Sequence, residues 1–502
     1  MLSILFDDPA RTSSGALLIV GILLLRWALW PAPSSHWPLV NGKRWFEITT
    51  TKSKDRFVAN GKDILLSSFK RLSKGFRLGT DNGPMIILSP EYVDEFRSED
   101  RLCPVKFQAE LAHTHLPGFE ILSDKHVPKS VFTDFILRKL TPAIDSTAPA
   151  SVTRLREALE STWTNSSEWH QIDLHSSVQV LSHTTTSPIF VGPELSSSKA
   201  WEELTYRYVG NFPVVACSLR LWPKFSQRFV NMILPSCTSL RKDVNQARQM
   251  VNEVLQKRAA SQAARISQGL EPEKFSDGLQ WWQELSGPPC DPACLQLALI
   301  FSAVHSTVDL LSQTILNLAE RPELVDELRQ EIIAVRESQP WGKAAFYKLG
   351  LMDSVLKETQ RLKPVSIATE DVTFSDGLVI PKGSLVMMSC HNMREDSVTY
   401  PNPLEFDGHR FRKMRESPTN GAMAHLVSSS QHHMGFGIGT HSCPGRFFIA
   451  AGLKLTLSQI LLNYDLRLSD PSENVTQNQG LFLMPNFKAK VEVRRREPEI
   501  EL

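Results

Sequence analysis

HHMGFGIGTHSCPGRFFIAAGLKL, the stretch from His432 to Leu455, decides how the chain is read. Three glycines, Gly435, Gly437 and Gly439, precede Cys443, and Pro444 and Gly445 follow it before an apolar run. Glycines let a loop turn sharply and bring its backbone close to a flat ligand. A helix beginning at Pro444 points amide donors and the positive end of its dipole at the sulfur, which favours a thiolate. Taken alone, the loop is also compatible with a buried, inert cysteine, the usual fate of a lone thiol.

Other motifs weigh against the inert reading. Upstream lies KETQRL (Lys357 to Leu362), in which Glu358 and Arg361 stand one helical turn apart and can pair on one face. FDGHRF (Phe406 to Phe411) falls between that motif and the cysteine loop, and AVHST (Ala303 to Thr307) lies in a long apolar segment further upstream. Phe436, Gly439, His441, Cys443 and Gly445 stand at the spacing F-x-x-G-x-[HR]-x-C-x-G. In this order the motifs resemble those of the cytochrome P450 family. SPIFVGPEL (Ser187 to Leu195) and SDGLVIPKG (Ser375 to Gly383) look like its fungal secondary-metabolism members, and the resemblance covers essentially the whole chain.

The resemblance implies a mainly α fold with small β-sheets, holding haem b with Cys443 as axial ligand of the iron. Electron donation from such a sulfur favours O–O cleavage. It further implies that Phe436 packs beside the sulfur, that Gly437 and Gly445 belong to the haem-binding loop, and that His441 contacts a propionate. Arg410, counted with the haem-binding residues, joins the ion pair Glu358–Arg361 in a lock on the haem-facing core. Thr307 is the proton-relay candidate, with Ser306 standing where many members have an acid and His305 or water completing the chain. The implied activity is monooxygenation by O2 of a hydrophobic small molecule, a terpenoid or meroterpenoid in the fungal branch. The alternatives are a haem-binding protein that senses or carries a ligand, and a non-oxygenating rearrangement. One departure stands out: the segment between Leu362-Lys363-Pro364 and Asp371 is short and lacks the basic residue often placed there for a propionate.

No flavin or nicotinamide fingerprint is present, so electrons arrive from outside. For a membrane-anchored member the resemblance implies NADPH–cytochrome P450 reductase. Arg412, Lys413, Arg415, Arg446 and Lys454 are the basic residues offered to such an acidic partner.

The 502 residues are 42% hydrophobic and 22% charged, enough apolar material for one large core. A net charge of +1, without basic runs interleaved with aromatics, argues against nucleic acid as a partner. Seven scattered cysteines do not form a disulfide framework, and Cys290 and Cys294 lack the second half of a zinc site.

At the N-terminus, GALLIVGILLLRWALW (Gly15 to Trp30) is apolar apart from Arg26 and runs into PAPSSHWP. This predicts a short lumenal tail over 1–14, a single transmembrane anchor over 15–31, a proline-containing hinge over 32–42 and a catalytic body over 43–502. Trp27, Trp30 and Trp37 suit the interface, and Arg26, Lys43 and Arg44 lie on the C-terminal side. The positive-inside rule therefore puts the body in the cytosol, on the endoplasmic reticulum membrane. The sequons at Asn165 and Asn474 are then expected to be bare.

Between these landmarks, FRLGT and PMIILS around Asp81-Asn82-Gly83 predict a hairpin, and the chain from Ser151 to Glu331 reads as helical. Its clearest helix runs from Pro292 to Leu318, a new one starts near Pro322, and a β element follows residue 365. The last helix is expected over Pro444 to about Leu462.

Overall fold

The computed structural model describes residues 37–47, 49–97, 109–222, 224–363, 367–370, 380–381, 384–439 and 442–500. The anchor, most of the hinge, His441 and residues 364–366 at the start of the short segment lie outside the described residues. Helices of ten or more residues are labelled α1 (Thr51–Phe69), α2 (Ile144–Trp163), α3 (Leu174–Ser196), α4 (Lys199–Leu219), α5 (Lys224–Ile233), α6 (Pro235–Ser267), α7 (Pro292–Ala319), α8 (Pro322–Ser338), α9 (Gly350–Leu362) and α10 (Arg446–Asn463).

The expected long helix is α7, and its start follows from local chemistry. Asp291 caps it, its Oδ1 accepting from the amides of Ala293 at 3.0 Å and Cys294 at 3.2 Å, with Pro292 in the first turn. At the usual rise, 28 residues span about 40 Å. The helix is apolar nearly all round because α3, α6, α9 and α10 pack about it, which makes it a core helix rather than a membrane span. Leu181 and Phe190 of α3, Leu297 and Ile315 of α7 and Ile460 of α10 share one buried cluster, which Leu155 of α2 also joins.

The strands are β1 (Leu39–Val40), β2 (Gly75–Thr80), β3 (Gly83–Leu88), β4 (His170–Ile172), β5 (Ile367–Glu370), β6 (Leu385–Met388), β7 (Tyr464–Leu468), β8 (Gln477–Gln479), β9 (Phe482–Met484) and β10 (Val491–Arg495). The predicted hairpin is β2–β3, with Thr80 opposite Gly83. It sits inside a five-stranded sheet ordered β1-β2-β3-β6-β5, so the β element after residue 365 joins the N-terminal strands. Strand β10 lies between β4 and β7, and β8–β9 form a separate ribbon. The five-stranded sheet has apolar clusters of its own, around Phe76 and Leu78 on one side and Ile86, Leu88 and Val386 on the other.

SPIFVGPEL has a structural explanation. Gly192 takes a φ of +73° inside α3, and a Cβ there would collide with Arg258 and Asp277. Arg258 needs that space. From α6 it donates to Glu194 at 2.7 and 2.6 Å and to Asp277 at 2.9 and 2.7 Å, tying three segments through one largely buried guanidinium. The sequon asparagines differ: Asn165 is exposed, whereas the Asn474 amide nitrogen donates to Glu320 at 2.8 Å and Asn317 at 3.2 Å.

Candidate active site

The cysteine loop is closed by its own backbone. The Cys443 amide donates to the Phe436 carbonyl at 2.7 Å, the Gly437 amide to Met434 at 2.9 Å, and the Ser442 amide to Gly439 at 3.1 Å. Gly437 and Gly439 have φ of +80° and +57°, conformations that L side chains rarely adopt. Gly435 and Gly439 are also close approaches, because a Cβ would strike the Gln360 side chain at the first and the Arg97 carbonyl at the second. Met434 and Ile438 bury themselves in the sheet's cluster, while Phe436 packs against the helical core.

The last helix starts at Arg446, two residues later than expected, because Pro444 and Gly445 form a turn that serves as its entry. Burial pushes the Cys443 thiol up, and the backbone amides of Gly445 and Arg446 together with the Arg446 charge oppose it. No carboxylate faces the sulfur among these influences. A sulfur supplied with amide donors becomes a thiolate once a cation stands against it. A Cβ at Gly445 would lie 4.0 Å from the sulfur, so glycine keeps that approach open. The donor set fits haem iron, which Cys443 would ligate, with Phe436, Gly437 and Gly445 in the loop that would surround it. When bound there, haem supplies the oxygen-activating chemistry.

Beneath the loop, Glu358, Arg361 and Arg410 meet as one buried network. Arg361 donates to both carboxylate oxygens of Glu358, and Arg410 Nε donates to Glu358 Oε1 at 3.0 Å. Arg410 also donates to the carbonyls of Pro401 at 2.6 Å and Glu405 at 3.1 Å, and Arg361 to that of Arg394 at 3.0 Å. Arg410 therefore sits in the network rather than in the cysteine loop.

On α7 the predicted relay residues diverge. Thr307 is buried and its hydroxyl has no partner; it faces a cavity of about 40 Å³ lined also by Ser151, Ser182, Thr186, Phe448 and Gly452, inside the four-helix packing. Ser306 points the other way. It is exposed, its Oγ donating to the Ser302 carbonyl at 3.1 Å. His305, also exposed in part, donates from Nε2 to the Val209 carbonyl of α4 at 3.0 Å and meets Phe301 edge-on at 4.9 Å. The pair of hydroxyls expected side by side is thus split between two faces, since adjacent helical residues diverge by about 100°.

Ser302, His305 and Ser306 are exposed and Phe301 and Asp309 half-buried, although every residue from Ala293 to Ile300 and from Leu310 to Ala319 is buried. A cleft therefore opens at mid-helix. Behind it Phe301 packs on a buried aromatic row, Phe212 and then Phe119, with ring centroids 4.8 and 5.2 Å apart. Asp309 pairs with Lys363 at 2.7 Å. Sequence reading passed over both, although Asp309 is the single formal charge in α7.

The basic surface expected near the loop is smaller than proposed. Lys454 is buried, donating to the Phe346 carbonyl at 2.6 Å and pairing with Asp353 at 2.6 Å, and Arg415 pairs with the same carboxylate. Both charges are satisfied internally, so neither is offered to a partner. Arg412 and Lys413 remain exposed and Arg446 is half-buried.

Residues 130–493 match the family model described as Cytochrome P450. The chain is 37% identical to the cytochrome P450 monooxygenase esdpI of Penicillium shearii, over 99% of this chain and 98% of that protein. It is 37% identical to the monooxygenase pyr3 of Aspergillus fumigatus, over 94% of this chain and 91% of the other. A solved structure, described as retinoic acid bound cyanobacterial CYP120A1, superposes with a TM-score of 0.65 at 17% identity, covering 91% of this chain and 99% of that one. Motif order, loop geometry and relatives agree: the chain belongs to the cytochrome P450 family and is a haem b monooxygenase.

Proposed function

We propose that this monooxygenase inserts one oxygen atom from O2 into a terpenoid or meroterpenoid of fungal secondary metabolism, drawing electrons from NADPH–cytochrome P450 reductase. The observation that carries the reading is the open stretch at mid-α7, where Phe301 and a stripe of small polar residues are exposed or half-buried in an otherwise buried helix, backed by the buried rings of Phe119 and Phe212. Such a surface, aromatic behind a few small polar groups, suits a bulky apolar substrate. Roles as haem ligand for Cys443 and as proton-relay hydroxyls for Thr307 and Ser306 belong to the same proposal, supported for Thr307 by a buried hydroxyl without a partner that faces a cavity.

The predicted anchor, with the body on the cytosolic face of the endoplasmic reticulum, belongs to this proposal too. Trp222, Phe225, Phe229, Met232 and Ile233 are exposed at and beside α5, and Trp45 and Phe46 are exposed just before α1. Lys54 of α1 donates to the Arg220 carbonyl at 2.9 Å, joining these apolar groups at one edge of the molecule. That edge supports contact with a bilayer.

Membranes containing the full chain and the reductase, supplied with NADPH, ¹⁸O2 and a panel of terpenoids, are expected to yield a product carrying one labelled oxygen. A reduced carbon monoxide complex without the red-shifted Soret band of thiolate ligation would overturn the reading.

A further inference from the structure

Beside the Glu358 network lies a second, smaller cavity, of about 10 Å³, room for one occupant the size of a water molecule. Its walls come from three segments: Gln360 and Arg361 of α9, Met393 and Arg394 of the short helix Cys390–Arg394, and His433 and Met434 at the start of the cysteine loop. Three of these side chains carry polar atoms that solvent does not reach and that have no hydrogen-bond partner among the described residues. They are Nε and Nη1 of Arg394, Nε2 of His433 and Oε1 of Gln360. Each is costly to bury unless an occupant satisfies it. His433 is only 4% exposed, and its Nδ1 accepts from the Gly435 amide at 3.4 Å, which leaves the ring proton on Nε2 as a donor. Arg361, by contrast, is spent, its donors taken by Glu358 and by the Arg394 carbonyl.

The charge balance around this space is one-sided. Glu358 answers both Arg361 and Arg410, and Asp396 faces His432, so among the described residues no carboxylate pairs with Arg394. Burial lowers Arg394, and Arg361 adds to that against Glu395; burial also holds His433 well below the ordinary histidine range. A guanidinium with two buried, unpartnered donors and no counter-charge calls for an anion.

We propose that the cavity is a binding site for one halide ion, chloride in the cell, held by Arg394 Nε and Nη1 and by His433 Nε2. Its size excludes phosphate, sulfate and carboxylates, each of which brings several heavy atoms. Gln360 Oε1 is an acceptor and repels an anion in its present orientation. Half a turn of the terminal amide presents the NH2 group instead, and the two ends have nearly the same shape. A water molecule can donate to Gln360 as it stands, but it leaves the Arg394 charge uncompensated. The ion joins α9, the short helix and the segment leading to Cys443 at one point, so it acts as a structural ligand of the cysteine loop.

This inference goes beyond the oxygenase reading and does not depend on it. Full-length parent, Arg394→Gln and Arg394→Lys are unfolded in urea at one ionic strength while sodium chloride or bromide replaces sodium gluconate, whose anion is too large for the cavity. The parent is expected to shift about tenfold toward the folded state once the halide reaches ten times its dissociation constant. Arg394→Gln is expected to lose that response and Arg394→Lys to keep part of it. Crystals of the parent grown with sodium bromide are expected to show an anomalous peak between Arg394 and His433. Equal halide responses in the parent and Arg394→Gln, or no response in the parent, would overturn the proposal. Should Arg394→Gln fail to accumulate, the parent decides alone: a bromide peak in the cavity upholds the site, and bromide only at exposed lysines refutes it.

Discussion

Arg361 grips Glu358 with two parallel hydrogen bonds, Nε to Oε2 and Nη2 to Oε1, both 2.8 Å long and both buried beneath the cysteine loop. Arg410 shares the same carboxylate, so removing either guanidinium leaves a buried negative charge under-compensated. Arg361→Ala is expected to cost about 3–5 kcal/mol and to accumulate without haem. Arg361→Lys should not rescue it, because a point charge cannot reproduce the two-pronged contact. Haem content of the purified variants, read from the Soret band, checks this; normal content would refute it.

Cys443→Ser keeps the loop's backbone bonds but removes the sulfur. The variant is expected to fold, to show no red-shifted Soret band in its reduced carbon monoxide complex, and to form no oxygenated product. Product formation by that variant would remove Cys443 from the reaction.

Gly192 and Arg258 can be tested against each other. Gly192→Ala forces a side chain into a backbone conformation nearly reserved for glycine and into the space of Arg258, for an expected loss of at least about 1–3 kcal/mol. Arg258→Ala strands two carboxylates and is expected to lose about 3–5 kcal/mol. The double variant should lose less than the sum, as contacting residues do, in urea unfolding of the full chain.

Lys357 lies inside the E-x-x-R motif and is fully buried, its Nζ donating to the carbonyls of His425 and Ser428 at 2.7 Å each. Burial lowers it from 10.5 to about 7, opposed by Asp353. Between pH 7 and 10 the unfolded chain then holds a proton that the folded one has released, so this residue makes stability rise with pH, by at most about 1.4 kcal/mol per unit. Below pH 7 both states are protonated and its cost to the fold is complete. Urea midpoints at pH 7 and 9 are expected to differ more in the parent than in Lys357→Met; equal differences would contradict the assignment.

Much of this architecture was readable from residue patterns because the signals were local. The hairpin around Asp81-Asn82 and the start of α7 at Pro292 depend on turn and cap chemistry within a few residues. The motif carrying Cys443 depends on spacing alone. What escaped required partners distant in the chain. Lys454 and Arg415 look like surface cations until Asp353 is found between them, and Asp309 looks incidental until Lys363 arrives from α9. That Thr307 and Ser306 face different sides of α7 was not legible either, because direction around the helix axis is decided by what packs on each face.

Met434 and Ile438 are sunk in the sheet's apolar cluster, whereas Phe436, midway between them, belongs to the helical core. The segment leading to Cys443 is in this way stitched into both halves of the molecule, like a seam sewn through two layers of cloth. Neither layer can peel away without drawing the thread, so escape of the prosthetic group requires both to loosen together, and its retention time becomes a gauge of cohesion for the whole protein.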